Sequence, residues 1–183
     1  MPHLLAVCAV RELHPDAGSV GVTAIDKAPV EGAVRVGRYG VYADVQADRK
    51  HHGGLDQAVY AYAQEDADFW AAELGRAVPA GWFGENLRVA GVDVSNARIG
   101  EIWRIGSSVE LQVTLPRTPC QTFARWVGGE RERGWVKRFS GEGRLGAYLR
   151  VVCKGRVRAG DEISVIAAPA DAPSILDIFV APA

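Results

Sequence analysis

The sequence predicts a mainly β protein, a closed or nearly closed β-barrel with a few peripheral α-helices. Eight short runs of apolar and β-favouring residues are separated by turn residues, which is typical of barrels. One of them, residues 108–115, alternates polar and apolar residues with the period of a half-buried strand. Only two segments have the spacing of an amphipathic helix. The chain has 183 residues and no internal boundary, so we expect a single domain over residues 1–183.

The predicted strands have turn residues at their ends. Gly100 and Gly106 bracket one strand, and Gly160 with Asp161 precedes the last. In the alternating run, Val109 and Val113 belong to the apolar set. The predicted strands cover residues 4–10, 33–38, 58–63, 86–89, 101–105, 108–115, 147–153 and 162–166.

Two helices are predicted. Residues 64–75 begin with Glu65 and Asp66, and the helix dipole favours acids in the first turn. Residues 121–139 carry aromatic residues at helical spacing, and glycines at 128, 129 and 134 divide this segment into two pieces. The tail, residues 167–183, is rich in alanine and proline. It is predicted either to be loosely ordered or to dock residues 175–180 on a neighbouring element.

Composition restricts the location and the partners. The formal net charge of −1 excludes a broad basic surface for nucleic acid. The charge is uneven, because residues 117–158 hold 11 lysines and arginines against 3 acids, a net of +8. The longest apolar run, residues 4–10, falls far short of the roughly 20 residues that span a bilayer. Three widely spaced cysteines form no disulfide framework, so we expect a cytoplasmic protein without a membrane partner.

Cys120 is the first candidate for chemistry. It follows the clearest strand, and Pro116 and Pro119 stiffen the intervening segment. Arg117 lies three residues away, and positive charge near a thiol favours the thiolate. A thiolate acts as a nucleophile, a sulfur acceptor or a soft metal ligand. The alternative is a buried, inert cysteine, which is the interpretation favoured for Cys8 and Cys153 because both lie in apolar strands.

The second candidate is the segment from Lys50 to Asp56. Gly53 and Gly54 let a backbone approach a ligand closely, and Lys50 and His52 offer hydrogen-bond donors to an anion. Zinc is disfavoured, because neither a Cys-x-x-Cys pair nor a spaced histidine pair accompanies these residues. A polar surface hairpin is the alternative interpretation.

Two further candidates remain open. Gly84, Glu85 and Asn86 form either a tight turn before a strand or a loop whose amides bind a heterocycle. Most of the basic segment is explained by a solvated helix face. Arg117, Arg144 and Arg150 are less easily explained in this way, because they flank the predicted loop and strands near the cysteine.

Taken together, these motifs resemble the MOSC family, the domain found at the C-terminus of molybdenum-cofactor sulfurases, and within it the stand-alone bacterial YiiM-like branch. They occur in family order across about residues 33–166. Where the family often has a lysine after Asp56, this chain has Gln57. The motifs are Asp44-x-Gln46-Ala47-Asp48, Lys50-x-His52-Gly53-Gly54-x-Asp56-x-Ala58-Val59, Phe83-Gly84-Glu85-Asn86-Leu87, Pro116-Arg117-x-Pro119-Cys120, Gly146-x-Tyr148-x-Arg150-Val151 and Gly160-Asp161.

The resemblance implies a MOSC-type β-barrel and a pocket for a molybdenum cofactor of the molybdopterin type. Cys120 matches the family's loop cysteine, the proposed metal ligand or sulfur carrier. The cofactor is an anionic pterin phosphate, which arginine, lysine and glycine-loop amides suit. The residues expected to bind it are Lys50, His52, Gly53, Gly54, Asp56, Gly84, Glu85, Asn86, Arg117 and Arg150.

The implied activity is the reduction of small N-hydroxylated compounds, such as bases or amines, with electrons from a separate redox partner. We expect no iron–sulfur cluster, since no cysteine-rich module follows, and no pyridoxal phosphate, since no lysine is marked as a Schiff-base former. One alternative is a sulfur carrier that is loaded by a cysteine desulfurase and holds a persulfide on Cys120. Another is a non-enzymatic barrel that binds or carries the cofactor.

Overall fold

A computed structural model describes residues 1–48, 53–129, 133–166 and 168–180. Within those ranges the chain is mainly β, as the sequence predicts, with four helices. The strands are β1 (His3–Val10), β2 (His14–Pro15), β3 (Val22–Thr23), β4 (Lys27–Pro29), β5 (Val34–Gly37), β6 (Gly40–Val41), β7 (Val59–Ala63), β8 (Leu87–Ala90), β9 (Ile102–Ile105), β10 (Val109–Pro116), β11 (Ala147–Cys153), β12 (Gly155–Val157) and β13 (Ile163–Ile166). The helices are α1 (Gln64–Leu74), α2 (Gln121–Gly128), α3 (Trp135–Glu142) and α4 (Ile175–Val180).

One large mixed sheet organises the molecule. Its eight strands run in the order β13-β9-β10-β11-β7-β8-β1-β4. Every neighbouring pair is antiparallel except β7 and β8, which are parallel. A parallel pair needs a crossover, and α1 supplies it. Because α1 covers one face of the sheet there, β7 is buried along its whole length.

The sheet curls so that the segment leading into its terminal strand β13 reaches the start of β1, next to the other terminal strand, β4. The backbone N–H of Leu4 donates to the carbonyl of Asp161 at 2.9 Å, and His3 forms a single bridge with Glu162. Between Leu4 and Ala6 the register of β1 shifts, and such a bulge bends a strand. The far half of β1 pairs with β4 instead. In the described ranges no continuous ladder joins β1 to β13, so the closed barrel is not confirmed.

Two hydrophobic cores lie on opposite sides of β7. The first fills the inside of the curled sheet with aliphatic side chains such as Val59 and Leu149. The second is aromatic and lies between the sheet and the helices α1, α2 and α3. Its largest side chains are Tyr62, Trp70, Phe83, Phe123, Trp135 and Phe139.

The eight predicted strands and the helix 64–75 are confirmed to within one or two residues, and 121–139 is two helices as predicted. The two-residue strands β2, β3 and β6 and the three-residue strands β4 and β12 were not predicted, since they are too short for a periodic pattern. The tail does dock, because α4 buries Ile175, whose N–H donates to the Ala97 carbonyl at 2.8 Å. No helix in the described ranges is both long and apolar enough to cross a bilayer.

Candidate functional site

A cavity of about 310 Å³ opens where the small elements meet the large sheet. Five segments line it: residues 16–25 around the β2–β3 hairpin, residues 44–48 after β6, the approach to β7, residues 83–86 before β8, and the connection from β10 into α2. Lys27 of β4 and Tyr148 of β11 complete the lining. Of the residues singled out from sequence, Gly84, Asn86, Arg117 and Cys120 meet here. The fold therefore joins motifs that lie far apart along the chain.

Arg117 lies at the inner side of this cavity. It follows the last residue of β10, and its N–H donates to the Gly146 carbonyl at 3.3 Å. Its guanidinium carbon lies 4.0 Å from the centroid of the Phe123 ring. The residue is only 6% exposed, and its Nη1 has no hydrogen-bond partner among the residues that the structure describes. A buried cation with an unpartnered N–H is unfavourable unless a ligand supplies the missing acceptor.

Cys120 lies at the N-cap position of α2, in extended backbone conformation. Its thiol is not in a disulfide, and the residue is half-buried against the aromatic core while lining the cavity. The carbonyl of Cys120 accepts from the Ala124 N–H at 3.0 Å and so begins the helix. A helix N-terminus carries partial positive charge, which favours an anionic sulfur.

Gln57 adds an acceptor to the same cavity. Its Oε1 is buried and has no hydrogen-bond partner in the described part of the chain. Next to Gln57, the backbone of Gly40 closely approaches the Ala58 carbonyl. Gly40 has φ +112°, and a Cβ added there would lie 2.1 Å from that carbonyl oxygen. Only glycine fits there, so β6 lies directly against the start of β7.

Lys27, Asp44 and Asn86 form a network on another wall of the cavity. The Lys27 Nζ donates to Asp44 Oδ2 at 2.6 Å, and the Asn86 Nδ2 donates to the same oxygen at 2.7 Å. Asn86 Oδ1 also accepts from the Tyr60 N–H at 3.1 Å. The amide of Asn86 thus ties β1, β7 and the 44–48 segment together, and its polar atoms are engaged within the protein.

The β2–β3 hairpin forms part of the cavity wall and is fastened to α2 through Asp16. Arg125 donates from Nε and Nη2 to the two carboxylate oxygens at 2.9 and 2.7 Å, and the Thr122 hydroxyl donates at 2.9 Å. The hydrogen bonds from Arg125 lower the pKa of Asp16 to about 2. The hairpin is therefore held to the helix that begins at Cys120.

Two tyrosines face Arg117 and remain protonated at neutral pH. Burial raises the pKa of Tyr60, whose hydroxyl donates to the Leu145 carbonyl at 2.8 Å. Burial likewise raises the pKa of Tyr148, which lines the cavity. Arg117 lowers both pKa values in part without reversing that direction.

Several residues expected to bind a cofactor lie elsewhere. Glu85 is fully buried, where its carboxylate accepts from Arg88 Nε at 2.9 Å and from the Gly81 N–H at 2.7 Å. Asp56 pairs with Arg150, and both side chains are half exposed outside the cavity lining. Gly53 and Gly54 do not line the cavity either. Lys50 and His52 lie outside the described residues.

The interpretation of Cys153 as a core residue is wrong. The residue is exposed at the end of β11, where its thiol donates to Glu110 at 3.5 Å. The carboxylate of Glu110 raises the pKa of this thiol. Cys8, by contrast, is fully buried as predicted, and burial raises its pKa to about 12.

A separate cluster contains Glu12, His14 and Asp26, whose ligand atoms lie within 4.8 Å of one another. Asp26 Oδ2 already accepts from Arg11 Nη2 at 2.8 Å and lies 2.7 Å from His14 Nε2. A guanidinium on the shared oxygen competes with a metal cation. This cluster is therefore better explained as an anchor for the β2–β3 hairpin.

Sequence reasoning missed several residues of the cavity: Asp16, Lys27, Gln57, Tyr60, Thr122 and Arg125. The 44–48 segment carried one usable signal, because it belongs to the motifs that resemble the MOSC family, whereas Gln57 stands where this chain departs from the family's lysine. Asp16 and Lys27 carried none, since no local pattern distinguishes them from other surface charges.

Comparison with known proteins agrees with the motifs. The model of the MOSC domain matches residues 48–164. YflK of Bacillus subtilis is 38% identical over 144 residues, which cover 79% of this chain and 63% of that protein. A protein named "Reductase" from Gibberella moniliformis is 32% identical over 178 residues, covering 96% of this chain and 31% of that protein. The chain thus spans less than two thirds of the length of either relative.

Solved structures share the fold. The crystal structure of YiiM from Geobacillus stearothermophilus superposes with a TM-score of 0.76 and 27% identity, covering 98% of this chain and 82% of that one. The family match extends from Asp48 through the cysteine loop into β13, the last strand of the sheet. The chain belongs to the MOSC domain family and within it is similar to YiiM.

Proposed function

We propose that the cavity binds a molybdenum cofactor and that the chain reduces small N-hydroxylated compounds with electrons from a separate donor. The MOSC family is associated with this cofactor. The observation that carries the proposal is Arg117 Nη1, a buried N–H that lacks an acceptor inside a cavity that also contains the half-buried thiol of Cys120.

The donors and acceptors of the cavity fit a pterin phosphate carrying a soft metal. Arg117 offers an unpartnered donor to an anionic oxygen, and Gln57 Oε1 offers an unpartnered acceptor to an N–H group. The Cys120 sulfur is the kind of soft ligand that suits the metal. One buried donor, one buried acceptor and one thiol thus match three chemically distinct parts of a single ligand.

The bound group would supply two-electron chemistry at the metal, so that an N-hydroxylated amine, two electrons and two protons give the amine and water. The residues of the chain bind and orient. Arg117 places positive charge in a site of low dielectric constant, where it acts more strongly than in water. Tyr148 keeps its proton at neutral pH and is a hydrogen-bond donor toward the cavity. The β2–β3 hairpin, fastened by Asp16, forms part of the wall of the binding cavity.

The relative named "Reductase" supports an electron-transfer role, because nearly the whole of this chain aligns with part of it. That name describes the fungal protein. Its relevance here is that a domain of this kind occurs within a longer chain whose printed name is a reductase.

The test is metal and pterin analysis of protein purified from a host that makes the cofactor. We expect molybdenum in amounts equal to the protein, and its loss in both Cys120→Ser and Arg117→Met. Cys153→Ser removes an exposed thiol outside the cavity and serves as the matched control, which should retain the metal. Equal metal in all four proteins would overturn the proposal.

The same samples distinguish the sulfur-carrier alternative. Incubation with a cysteine desulfurase followed by intact-mass measurement detects one added sulfur atom on Cys120, removable by reductant. A protein that gains this sulfur yet never holds molybdenum supports the carrier. A protein that holds metal and turns over a hydroxylamine supports the reductase.

A further inference from the structure

The small sheet β12-β5-β6 has one buried face and one charged face. Val34, Val36 and Val157 point inward and are buried. Arg35 and Arg156 face each other across the antiparallel pair, and the backbone N–H of Tyr42 donates to the Arg35 carbonyl at 2.9 Å. The register therefore places Arg156, Arg35 and Tyr42 in one row across the outer surface.

This row carries a like-charge pair that folding does not require. Like charges directly opposite each other on antiparallel strands are destabilising. Arg35 lies 5.7 Å from the Tyr42 ring, and Arg156 Nη1 donates to the Ala33 carbonyl at 3.2 Å. Neither guanidinium has a carboxylate partner in the described part of the chain. A surface that keeps such an arrangement at a cost in stability is a candidate for function.

More basic residues and another exposed tyrosine lie next to this row. Arg38 lies 5.8 Å from the ring of Tyr39 in the turn between β5 and β6, and Lys154 is exposed just before β12. Tyr39 is 68% exposed and Tyr42 is 76% exposed. Tyrosine and arginine are the residues most enriched at binding hot spots, since they bring large apolar area together with hydrogen bonding.

The face adjoins the cavity. Tyr42 precedes Asp44 by two residues, and Asp44 lines the cavity wall. Gly40 packs against the carbonyl of Ala58, next to the cavity residue Gln57. A molecule seated on this surface would therefore lie beside the site of the proposed chemistry.

We propose that the basic-tyrosine face docks the acidic electron-transfer protein that supplies the two electrons of the reduction. We define this face as Arg35, Arg38, Tyr39, Tyr42, Lys154 and Arg156. The proposal rests on the proposed function for the identity of the partner, whereas the charge of the face by itself requires an acidic one. Complementary charge would steer the encounter, and the tyrosines would supply the apolar contact.

The test uses a reduced plant-type [2Fe–2S] ferredoxin as the acidic donor and reduced methyl viologen as a small donor. Each carries one electron, so two molecules of either donor react in succession for every substrate reduced. The variant is the double charge reversal Arg35→Glu/Arg156→Glu. Lys137→Glu, on the exposed side of α3, is the matched control. At low ionic strength we expect the double variant to bind ferredoxin at least about tenfold more weakly, with methyl-viologen turnover unchanged. The affinity of the wild-type protein for ferredoxin should fall as the salt concentration rises, because salt screens the attraction between exposed charges.

Unchanged ferredoxin affinity in the double variant would overturn the docking proposal. So would tighter binding of a single-stranded RNA or of phosphatidylserine vesicles than of ferredoxin, or self-association through the face in sedimentation. If wild-type protein shows no turnover with methyl viologen but binds ferredoxin through these residues, the proposed reaction fails and the docking surface stands.

A second measurement, of thermal stability, examines whether the pair of like charges at Arg35 and Arg156 destabilises the fold. Arg35→Gln removes one member of the like-charge pair and keeps a long polar side chain. We expect a higher Tm together with weaker ferredoxin binding, because stability and docking would then make opposite demands on the residue. A lower Tm would show that Arg35 is held for folding, which overturns the inference.

Discussion

The guanidinium of Arg117 lies 4.0 Å from the centre of the Phe123 ring, and its Nη1 has no acceptor. Contact with an aromatic face stabilises a cation by about 0.5–2 kcal/mol. Leaving a buried N–H unsatisfied costs about 1–3 kcal/mol, more when the group is charged. The two contributions are of similar size, so a ligand that supplies an acceptor to Nη1 would tip the balance in favour of the buried cation.

Arg117→Met tests that balance directly. Methionine fills similar volume and keeps the contact with Phe123, but it buries no charge. We expect the free energy of unfolding of the cofactor-free protein to rise by about 1 kcal/mol, because the unsatisfied cation is removed. Urea denaturation measures it. A decrease of more than about 1 kcal/mol would indicate that Arg117 stabilises the fold.

The hydrogen-bonded ion pair between Asp16 and Arg125 should make the free energy of unfolding depend on pH in the acid range. Its folded pKa of about 2 lies below the usual value of 3.8, so the stabilisation is complete above pH 3.8 and is lost as the pH falls toward 2. We expect Asp16→Asn to cost about 1–2 kcal/mol at pH 6 and much less at pH 2. Chemical denaturation at both pH values measures the difference. An equal cost at both pH values would contradict the stabilisation of the fold by the ionised Asp16.

Two ion pairs of this protein should differ sharply in strength. Glu85 and Arg88 are buried together, so Glu85→Gln leaves a buried charge without its partner and should cost about 3 kcal/mol. Asp56 and Arg150 are each 48% exposed, so Asp56→Asn should cost less than about 1 kcal/mol. Urea denaturation of the two variants provides the comparison. Equal costs would mean that burial does not decide the strength of these pairs.

The rate at which Cys153 is alkylated should depend on Glu110, whereas Cys8 should not be alkylated. At pH 8, Cys8 stays unmodified by iodoacetamide because it is buried and its pKa is about 12. The Glu110 carboxylate raises the pKa of Cys153, so Glu110→Gln lowers it and increases the thiolate fraction. We expect alkylation of Cys153 to become about two- to fivefold faster, measured by peptide mass spectrometry. No change in rate would contradict this role of Glu110.

Long periodic elements were predictable because their signal is local. The alternation of residues 108–115 predicts β10, whose Val109, Leu111 and Val113 are buried while the residues between them are half-buried. Gly128, Gly129 and Gly134 predict the break between α2 and α3. The strands of two or three residues were not predictable, because pairing partners and not periodicity create them.

The candidate site was predictable only in part. Cys120, Arg117 and Gly84 stood out through proline, charge and glycine near the ends of predicted strands. Glu85 and Asn86 belong to the same motifs, yet their side chains bind Arg88, Asp44 and backbone groups within the protein. A motif identifies which residues matter, but it does not say whether they face a ligand or hold neighbouring elements together.

The sequence by itself determined the family and the mainly β class, and it singled out Cys120 as a candidate, because motifs and hydrophobic period are written in neighbouring residues. Only the tertiary structure decided that Arg117 and Gln57 each leave one buried polar atom without a partner among the described residues in the same cavity, and that Asp16 fastens the β2–β3 hairpin to α2. It also decided that Arg35 and Arg156 lie opposite each other. These relationships join residues up to 121 positions apart, and only the sheet register and the packing of α2 bring them together.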